Sequence, residues 1–279
     1  MRGGAQSHLM LGADGVPYVV KFQNNPQHLR VLVNEWLATH VARILGLPSP
    51  PCEVIEVTSW LVENTAELDV QRGGASERCL PGLHFGSQFV GGLMPGQSVD
   101  YLPEPQLLDV RNLRDFAGVL VVDKWTCNAN GRQAVFHKKQ RERKYSATFI
   151  DYGFCFGAGE WEYRDAPLRG VFARNTVYDG ITGWESFEPW MSRMRELDVG
   201  RIWALADQIP PDWYRGDVAA LERLVEQLDA RRERVPELIQ GFRESSRQPF
   251  PKWNGVPFAM KSGVREQASV ADDAEGRNV

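Results

Sequence analysis

The sequence lacks any closely spaced cysteine pair of the kind used for redox chemistry or zinc binding. Its four cysteines, Cys52, Cys79, Cys127 and Cys155, lie far apart and sit among apolar or aromatic neighbours. This spacing predicts reduced thiols and a cytoplasmic setting. With 279 residues, the chain can bury a sizeable core without disulfides.

Long apolar runs and a basic excess are also missing. The longest strongly apolar run, Phe116 to Val122, is far below the roughly 20 residues of a membrane-spanning helix, and the N-terminus has no signal-peptide core. The formal net charge is −4, whereas nucleic-acid-binding domains usually carry a basic excess. We therefore expect no membrane insertion and no general nucleic-acid binding.

Hydrophobic patterning divides the chain into two parts. Before Gly91 it predicts mainly strands, with one helix over 29–45; after Gly96 it predicts mainly helices. The glycine- and proline-rich stretch between them suggests a boundary. We expect an N-terminal lobe over 1–92, a C-terminal lobe over 93–246, and a polar, partly disordered tail over 247–279. The expected fold class is α+β.

Several residues of the N-terminal part suit phosphate binding. The small residues of the first turn let backbone N–H groups approach an anion; this turn comprises Gly3, Gly4, Ala5, Gln6 and Ser7. Lys21 lies in an apolar strand, where a buried ammonium needs an anionic partner. Glu35 in the following helix can supply that partner. Each of these features has a simpler interpretation when it is taken alone. The turn could be solvent-exposed, Lys21 could lie on an edge strand, and Glu35 could be solvated.

The sharpest motif lies in the second part. Asp123 ends an apolar helix, Asn128 follows five positions later, and Asp151 opens an Asp-Tyr-Gly turn after a strand. This order is typical of a kinase catalytic loop and metal loop. Asp123 is predicted to orient the acceptor hydroxyl, and Asn128 and Asp151 to offer oxygen ligands to Mg²⁺. A helix cap and an ordinary turn are the alternative.

These residues resemble the HipA-like and phosphatidylinositol-kinase-like branch of the protein kinase superfamily. The resemblance rests on Gly4-Ala5-Gln6, on Asn34 to Leu37, and on Phe149-Ile150-Asp151-Tyr152-Gly153-Phe154, and it spans most of 3–245. It implies a bilobal kinase-like fold with a small, mainly antiparallel-sheet N-terminal lobe and a larger, mainly helical C-terminal lobe. It further implies ATP and Mg²⁺ as cofactors, with adenine near Gln88, Phe89 and Val90 and phosphates between Lys21 and Asp151.

The sequence departs from the pattern of this branch at several positions. Ser7-His8 stands where a basic residue is expected, and Trp125 replaces the histidine of the Asp-x-His-x-x-Asn motif. The inserted Ala129-Asn130-Gly131 leaves open whether Asn128 or Asn130 binds metal. The glycine turn begins at residue 3, so we expect no preceding strand.

The implied function is an ATP- and Mg-dependent phosphotransferase of HipA-like type, a serine/threonine protein kinase. One alternative is a small-molecule or lipid kinase, in which the basic segment His137 to Lys144 would bind an anionic acceptor. A solvated hairpin tip is the simpler interpretation of that segment. The other alternative is a nucleotide-binding pseudokinase, suggested by the departures at Ser7-His8 and Trp125.

Overall fold

The N-terminal region is built on an antiparallel sheet with strands of unequal length. The computed structural model describes residues 4–92 and 94–253. Four strands pair in the spatial order β1-β2-β6-β3, and β4 and β5 form a separate hairpin; their bounds are β1 His8–Leu11, β2 Pro17–Lys21, β3 Cys52–Val57, β4 Asp69–Arg72, β5 Ala75–Arg78 and β6 Gly82–Gln88. In β2, Tyr18 and Val20 are buried, while Val19 is only partly buried. The alternation leaves Val19 and the strand end at Lys21 on the side that faces the rest of the molecule.

A single long helix crosses behind this sheet. Helix α1, Val31–Ile44, is buried over most of its length, which is typical of a helix held between two layers. Gly46 follows the last turn with φ of +85°, a conformation that glycine adopts without the strain a Cβ would bring. The buried face of α1 belongs to the same apolar core as the C-terminal helices. Helix α1 therefore joins the two regions.

The C-terminal region surrounds one buried helix. The three-stranded sheet β7-β8-β9 lies beside it, with bounds β7 Ser98–Val99, β8 Gln133–His137 and β9 Ser146–Ile150. The helices are α2 Ser59–Asn64 in the N-terminal region, then α3 Glu104–Leu108, α4 Asp115–Trp125, α5 Trp190–Glu196, α6 Val199–Ala206, α7 Val218–Ala230 and α8 Val235–Arg243. Helix α4 is buried from Phe116 to Trp125, so it forms the centre of this region.

The apolar periodicity over 107–122 predicts one helix, but the structure interrupts it. Helix α3 ends at Leu108, and α4 starts only at Asp115. Between them, the Asn112 side chain donates to the Ala147 carbonyl at 2.9 Å and accepts from the Ala147 N–H at 2.8 Å. This pairing ties the segment to β9, and the chain leaves the helical path there.

Two other elements differ from the sequence prediction. The β-branched and aromatic residues over 52–62 predict one strand. The strand stops at Val57, because Thr58 caps α2 by accepting from the Leu61 N–H at 3.2 Å. The composition of 72–77 predicts a loop, but these residues form the tip of the β4–β5 hairpin. Gly73 and Gly74 both have positive φ, as a two-residue hairpin turn requires.

The start of the predicted tail is ordered. Phe250 and Trp253 are buried, and their rings stack with centroids 5.4 Å apart. The rest of the predicted tail, 254–279, lies outside the described residues, as do Gly3 and Leu93. Within the described part of the chain, no helix is long and apolar enough to cross a bilayer. All four cysteines are buried and form no disulfide.

Candidate active site

A cavity of about 410 Å³ lies between the N-terminal sheet and the β8–β9 hairpin. Val19 and Lys21 line it from β2, and Val135, Ile150 and Asp151 line it from the opposite side. Most of its wall is apolar, with a few converging polar groups, as in nucleotide and cofactor sites. The remaining lining residues are Gly4, Ala5, Gln6, Ser7, Gln27, Glu35, Pro50, Ser87, Gln88, Phe89, Val90, Ser98, Asn130, Gln133 and Phe154.

Three charged side chains meet at the back of this cavity. The Lys21 ammonium donates to Glu35 Oε1 and, at 2.7 Å, to Asp151 Oδ1. Lys21 and Glu35 are buried, with residue exposures of 7% and 3%. Lys21 and Asp151 are 130 positions apart in the chain, so only the tertiary fold brings them together.

The electrostatics of this triad keep the lysine charged. Burial alone would lower the pKa of Lys21, but the charges of Glu35 and Asp151 outweigh it and raise that pKa. Burial likewise opposes ionisation of Asp151, yet the Lys21 charge and hydrogen bond hold the pKa of Asp151 below its usual value. Burial raises the pKa of Glu35, and the Lys21 charge opposes this rise. An ammonium and a carboxylate therefore face the cavity side by side.

The turn after β9 packs closely against α1. Asp151 has φ of +62°, a rare conformation for a residue with a Cβ. The Glu35 carboxylate accepts from the N–H groups of Tyr152 at 3.1 Å and Gly153 at 2.9 Å. A Cβ on Gly153 would lie 2.6 Å from a Val31 methyl group, so only glycine fits this close approach.

A second residue of α1 holds the segment that follows. The buried Asn34 amide donates to the carbonyls of Gly153 at 2.8 Å, Cys155 at 2.8 Å and Ala158 at 3.0 Å. Its oxygen accepts from the Trp161 indole N–H at 2.8 Å. Asn34 thus provides hydrogen bonds to buried backbone carbonyls, and it fixes the segment 153–161 to α1.

A buried ion pair joins the last turn of α4 to the end of the loop that follows it. Asp123 and Arg132 both have side-chain exposures of 0%, and the closest contact between the two groups is 2.5 Å. Arg132 also donates to the Ile150 carbonyl at 2.6 Å, and its guanidinium lies 4.1 Å from the centre of the Tyr152 ring. Asp123 is not among the residues that line the cavity. It lies behind the loop that does.

Three amide side chains belong to this loop or follow it. Asn128 is buried; it donates to Asp123 at 2.9 Å and accepts from the Asn130 N–H at 3.0 Å. Asn130 and Gln133 line the cavity. Gln133 Nε2 donates to Asp151 Oδ2 at 2.6 Å. The loop therefore presents Asn130 and Gln133 to the cavity and keeps Asn128 inside.

The N-terminal turn borders the cavity where the triad lies. The Gln6 side chain donates to the Gln71 carbonyl at 2.8 Å and accepts from the Gln71 N–H at 2.6 Å. The Ala5 carbonyl accepts from the Asn25 side chain at 3.0 Å. These bonds hold the turn against the β4–β5 hairpin and the segment after β2.

Comparison with known proteins agrees with this geometry. The family model for the HipA-like kinase matches residues 1–167, well over half of the chain. The chain belongs to the HipA-like kinase family. A search of curated proteins gave no significant match.

Solved structures show that this HipA-like kinase has a protein kinase fold. It aligns over 88% of its length with 95% of the Helicobacter pylori proinflammatory kinase CtkA, at 13% identity and a TM-score of 0.51. It also aligns over 88% of its length with 72% of the Golgi casein kinase solved with Mn and ADP bound, at 14% identity and a TM-score of 0.50. At such low identity the likeness shows the fold alone.

The predicted site residues of this HipA-like kinase fall into two groups. The structure brings most of them to one cavity; these are Gly4, Ala5, Gln6, Ser7, Lys21, Glu35, Gln88, Phe89, Val90 and Asp151. It leaves Asp123 and Asn128 buried behind the loop, and Gly3 lies outside the described residues.

Sequence reasoning missed the contributions of Gln133, Arg132 and the side chain of Asn34. The sequence over 132–137 predicts a strand, and Arg132 and Gln133 are its first two residues, where a polar side chain is common. Asn34 has a clearer signal, because an asparagine within the buried stripe of a helix needs hydrogen-bond partners.

Proposed function

We propose that this HipA-like kinase binds ATP with Mg²⁺ in the cavity and transfers the γ-phosphoryl group to a serine or threonine hydroxyl of a protein. The contact of Lys21 with Glu35 and Asp151 carries the proposal. Phosphoryl transfer depends on positioned charge, and a lysine between a helix glutamate and a metal-loop aspartate supplies it.

The cavity lining supports a proposed place for each part of the nucleotide. Val19, Val135 and Ile150 offer apolar surfaces to the adenine, and the strand end at Gln88, Phe89 and Val90 borders the same space. Lys21 would contact the phosphates, and the turn Gly4 to Ser7 would cover them. In this arrangement Glu35 orients Lys21 through their direct contact.

The donors present suit Mg²⁺. Among the described residues, no group of three or more His, Cys, Asp and Glu side chains could hold a metal. Mg²⁺ commonly takes only one or two protein oxygens and completes its shell with phosphate and water. Asp151 offers a carboxylate, and Asn130 and Gln133 offer amide oxygens beside it. When bound, Mg²⁺ supplies positive charge that neutralises phosphate oxygens.

The acceptor assignment rests on family membership, and a small-molecule or lipid acceptor is the alternative. That alternative needs free cations on the hairpin tip at His137 to Lys144. Lys144 is paired with Asp109 at 2.5 Å, and Glu142 of the tip is paired with Arg111 at 3.0 Å. The first pair neutralises one cation of the tip, whereas the second neutralises its one acidic residue, so the tip stays basic and an anionic acceptor remains the alternative.

One observation favours a nucleotide-binding pseudokinase as the second candidate. Among the described residues that line the cavity, the carboxylates are Glu35 and Asp151, and both contact Lys21. The loop side chain that faces the cavity beside them is the amide of Asn130. An amide cannot take the proton of an acceptor hydroxyl at neutral pH.

The two candidates are separated by a transfer assay. The wild-type chain, Lys21→Met and Asn130→Asp are incubated with γ-labelled ATP, Mg²⁺ and a mixture of protein substrates. We expect transfer by the wild type, a loss of about 100-fold or more in Lys21→Met, and an increase in Asn130→Asp. Binding of ADP without transfer by the wild type, together with transfer by Asn130→Asp, would establish the pseudokinase. No binding and no transfer in any variant would refute the proposed function.

A further inference from the structure

Gln133 holds the side of the Asp151 carboxylate that Lys21 leaves open. Lys21 donates to Oδ1 at 2.7 Å, and Gln133 Nε2 donates to Oδ2 at 2.6 Å. The backbone explains this placement, because Gln133 opens β8 and pairs with Ile150 of β9, the residue before Asp151. The side chain then reaches along the hairpin into the cavity.

The side-chain amides of Asn128 and Asn130 hydrogen-bond to groups other than Asp151. Asn128 uses its nitrogen on Asp123 and its oxygen on the Asn130 N–H. Asn130 accepts from the Gly131 N–H at 2.8 Å. Of these three amides, Gln133 is the one that touches the Asp151 carboxylate.

The chemistry of an amide fits a change of partner at this position. Its oxygen and nitrogen have nearly the same shape, so a half-turn of the terminal group exchanges donor for acceptor. In the structure, the NH₂ group donates to the carboxylate. A cation beside Asp151 would repel that NH₂ group and attract the amide oxygen.

We propose that Gln133 supplies, with Asp151, a protein ligand of the divalent cation that accompanies the nucleotide. This inference rests on the proposed function, since it concerns the same site. It assigns the second ligand to a glutamine at the start of β8, and not to Asn128 or Asn130.

The test measures ADP affinity by titration calorimetry with Mn²⁺ and again with the metal chelated. The ratio of the two affinities reports metal binding at the site without any need for turnover. Gln133→Leu keeps the approximate size and removes the amide; Gln133→Glu keeps an oxygen. Gln140→Leu, at the far end of the same hairpin, is the matched control.

We expect Gln133→Leu to reduce the Mn²⁺-dependent gain in ADP affinity by about 10-fold or more. Affinity without metal should stay within about 2-fold, and Gln133→Glu and Gln140→Leu should keep the gain. An unchanged gain in Gln133→Leu would overturn the inference, and so would an equal loss with and without metal. A wild-type chain that binds no ADP under either condition would overturn the proposed function itself.

Discussion

Asp123 and Arg132 form a buried ion pair. Breaking this pair should lower the free energy of unfolding. Removal of one partner from such a pair leaves a buried charge and costs about 3–5 kcal/mol. We therefore expect Asp123→Ala to lower the free energy of unfolding by about that amount in urea titrations. Glu162→Ala breaks the exposed pair with Arg164 and should have little effect, because solvent screens that pair.

The same variant tests the predicted catalytic role of Asp123, which stays a prediction. A positioning role through Arg132 predicts that Asp123→Ala loses stability and ADP affinity together, since Arg132 also contacts the Ile150 carbonyl next to Asp151. Wild-type stability and ADP affinity with kcat nearly abolished would instead place Asp123 on the acceptor.

His84 should make stability fall in mild acid. Its Nε2–H donates to the Leu80 carbonyl at 2.8 Å, and its Nδ1 accepts from the Gln23 N–H at 3.2 Å. Burial lowers the pKa of His84 to about 4, from about 6.5 in an unfolded chain. The unfolded state therefore binds the proton first, and stability present above pH 6.5 is lost as the pH falls toward 4.

The expected loss from His84 is about 2 kcal/mol between pH 7.5 and pH 5. Urea unfolding of the wild type and His84→Asn at pH 7.5, 6 and 5 measures it. The wild type should lose more stability than the variant on acidification. Identical pH slopes for the two proteins would contradict the assignment.

At the scale of elements, the helices pack closely enough to demand a particular glycine. A Cβ on Gly118 of α4 would lie 2.4 Å from the Trp190 ring of α5. Alanine raises helix propensity by about 1 kcal/mol over glycine, but overpacking a filled core costs about 1–3 kcal/mol.

Gly118→Ala should therefore destabilise the protein in spite of its better propensity. Gly241→Ala in α8 is the matched comparison, because a Cβ added there would meet nothing within 4 Å, and it should stabilise by up to about 1 kcal/mol. Thermal unfolding of the two variants should show shifts of opposite sign. Stabilisation by Gly118→Ala would mean that the α4–α5 contact is looser than described.

The sequence predicts the existence of most elements better than their ends. Periodic apolar residues locate α1 and the strands around Lys21 and Asp151. The break before α4 depends on Asn112 bonding to Ala147, 35 residues away, and no local pattern reports such a contact. The β4–β5 hairpin is missed for a different reason, since its strands carry mainly polar residues and its Gly-Gly turn has the composition of a loop.

The site residues likewise divide into those that the sequence predicts and those whose positions it does not predict. Lys21, Glu35 and Asp151 are found because kinase chemistry requires their residue types in that order. The positions of Asp123 and Gln133 depend on tertiary contacts. Asp123 is buried in its ion pair with Arg132, and Gln133 lines the cavity in contact with Asp151.

At the scale of the whole molecule, the two regions should respond as one to nucleotide. A ligand that binds only the folded state raises the free energy of unfolding by about 2.7 kcal/mol when its free concentration is 100 times its Kd. For a chain of this size that corresponds to a rise of about 5 °C in Tm. We expect one cooperative transition to move upward with ADP and Mn²⁺, as followed by calorimetry.

Lys21→Met is the control for this shift and should show none, because the phosphate contact is lost. Two separate transitions, of which only one moves with ADP, would contradict a shared core between the regions. Helix α1 makes the single transition the expected outcome, since it belongs to the same apolar core as α4.

The four hydrogen bonds of Asn34 have a consequence for how such an enzyme could be switched off. Swinging α1 outward would strip Glu35 from Lys21 and, in the same movement, break every bond that Asn34 makes to 153–161. Helix α1 and the segment 153–161 are therefore coupled, and neither can move without the other. In this chain the contact of Lys21 with Glu35 and Asp151 forms as part of folding. A regulator that moved α1 away from Lys21 would therefore have to unfold the segment 153–161 as well.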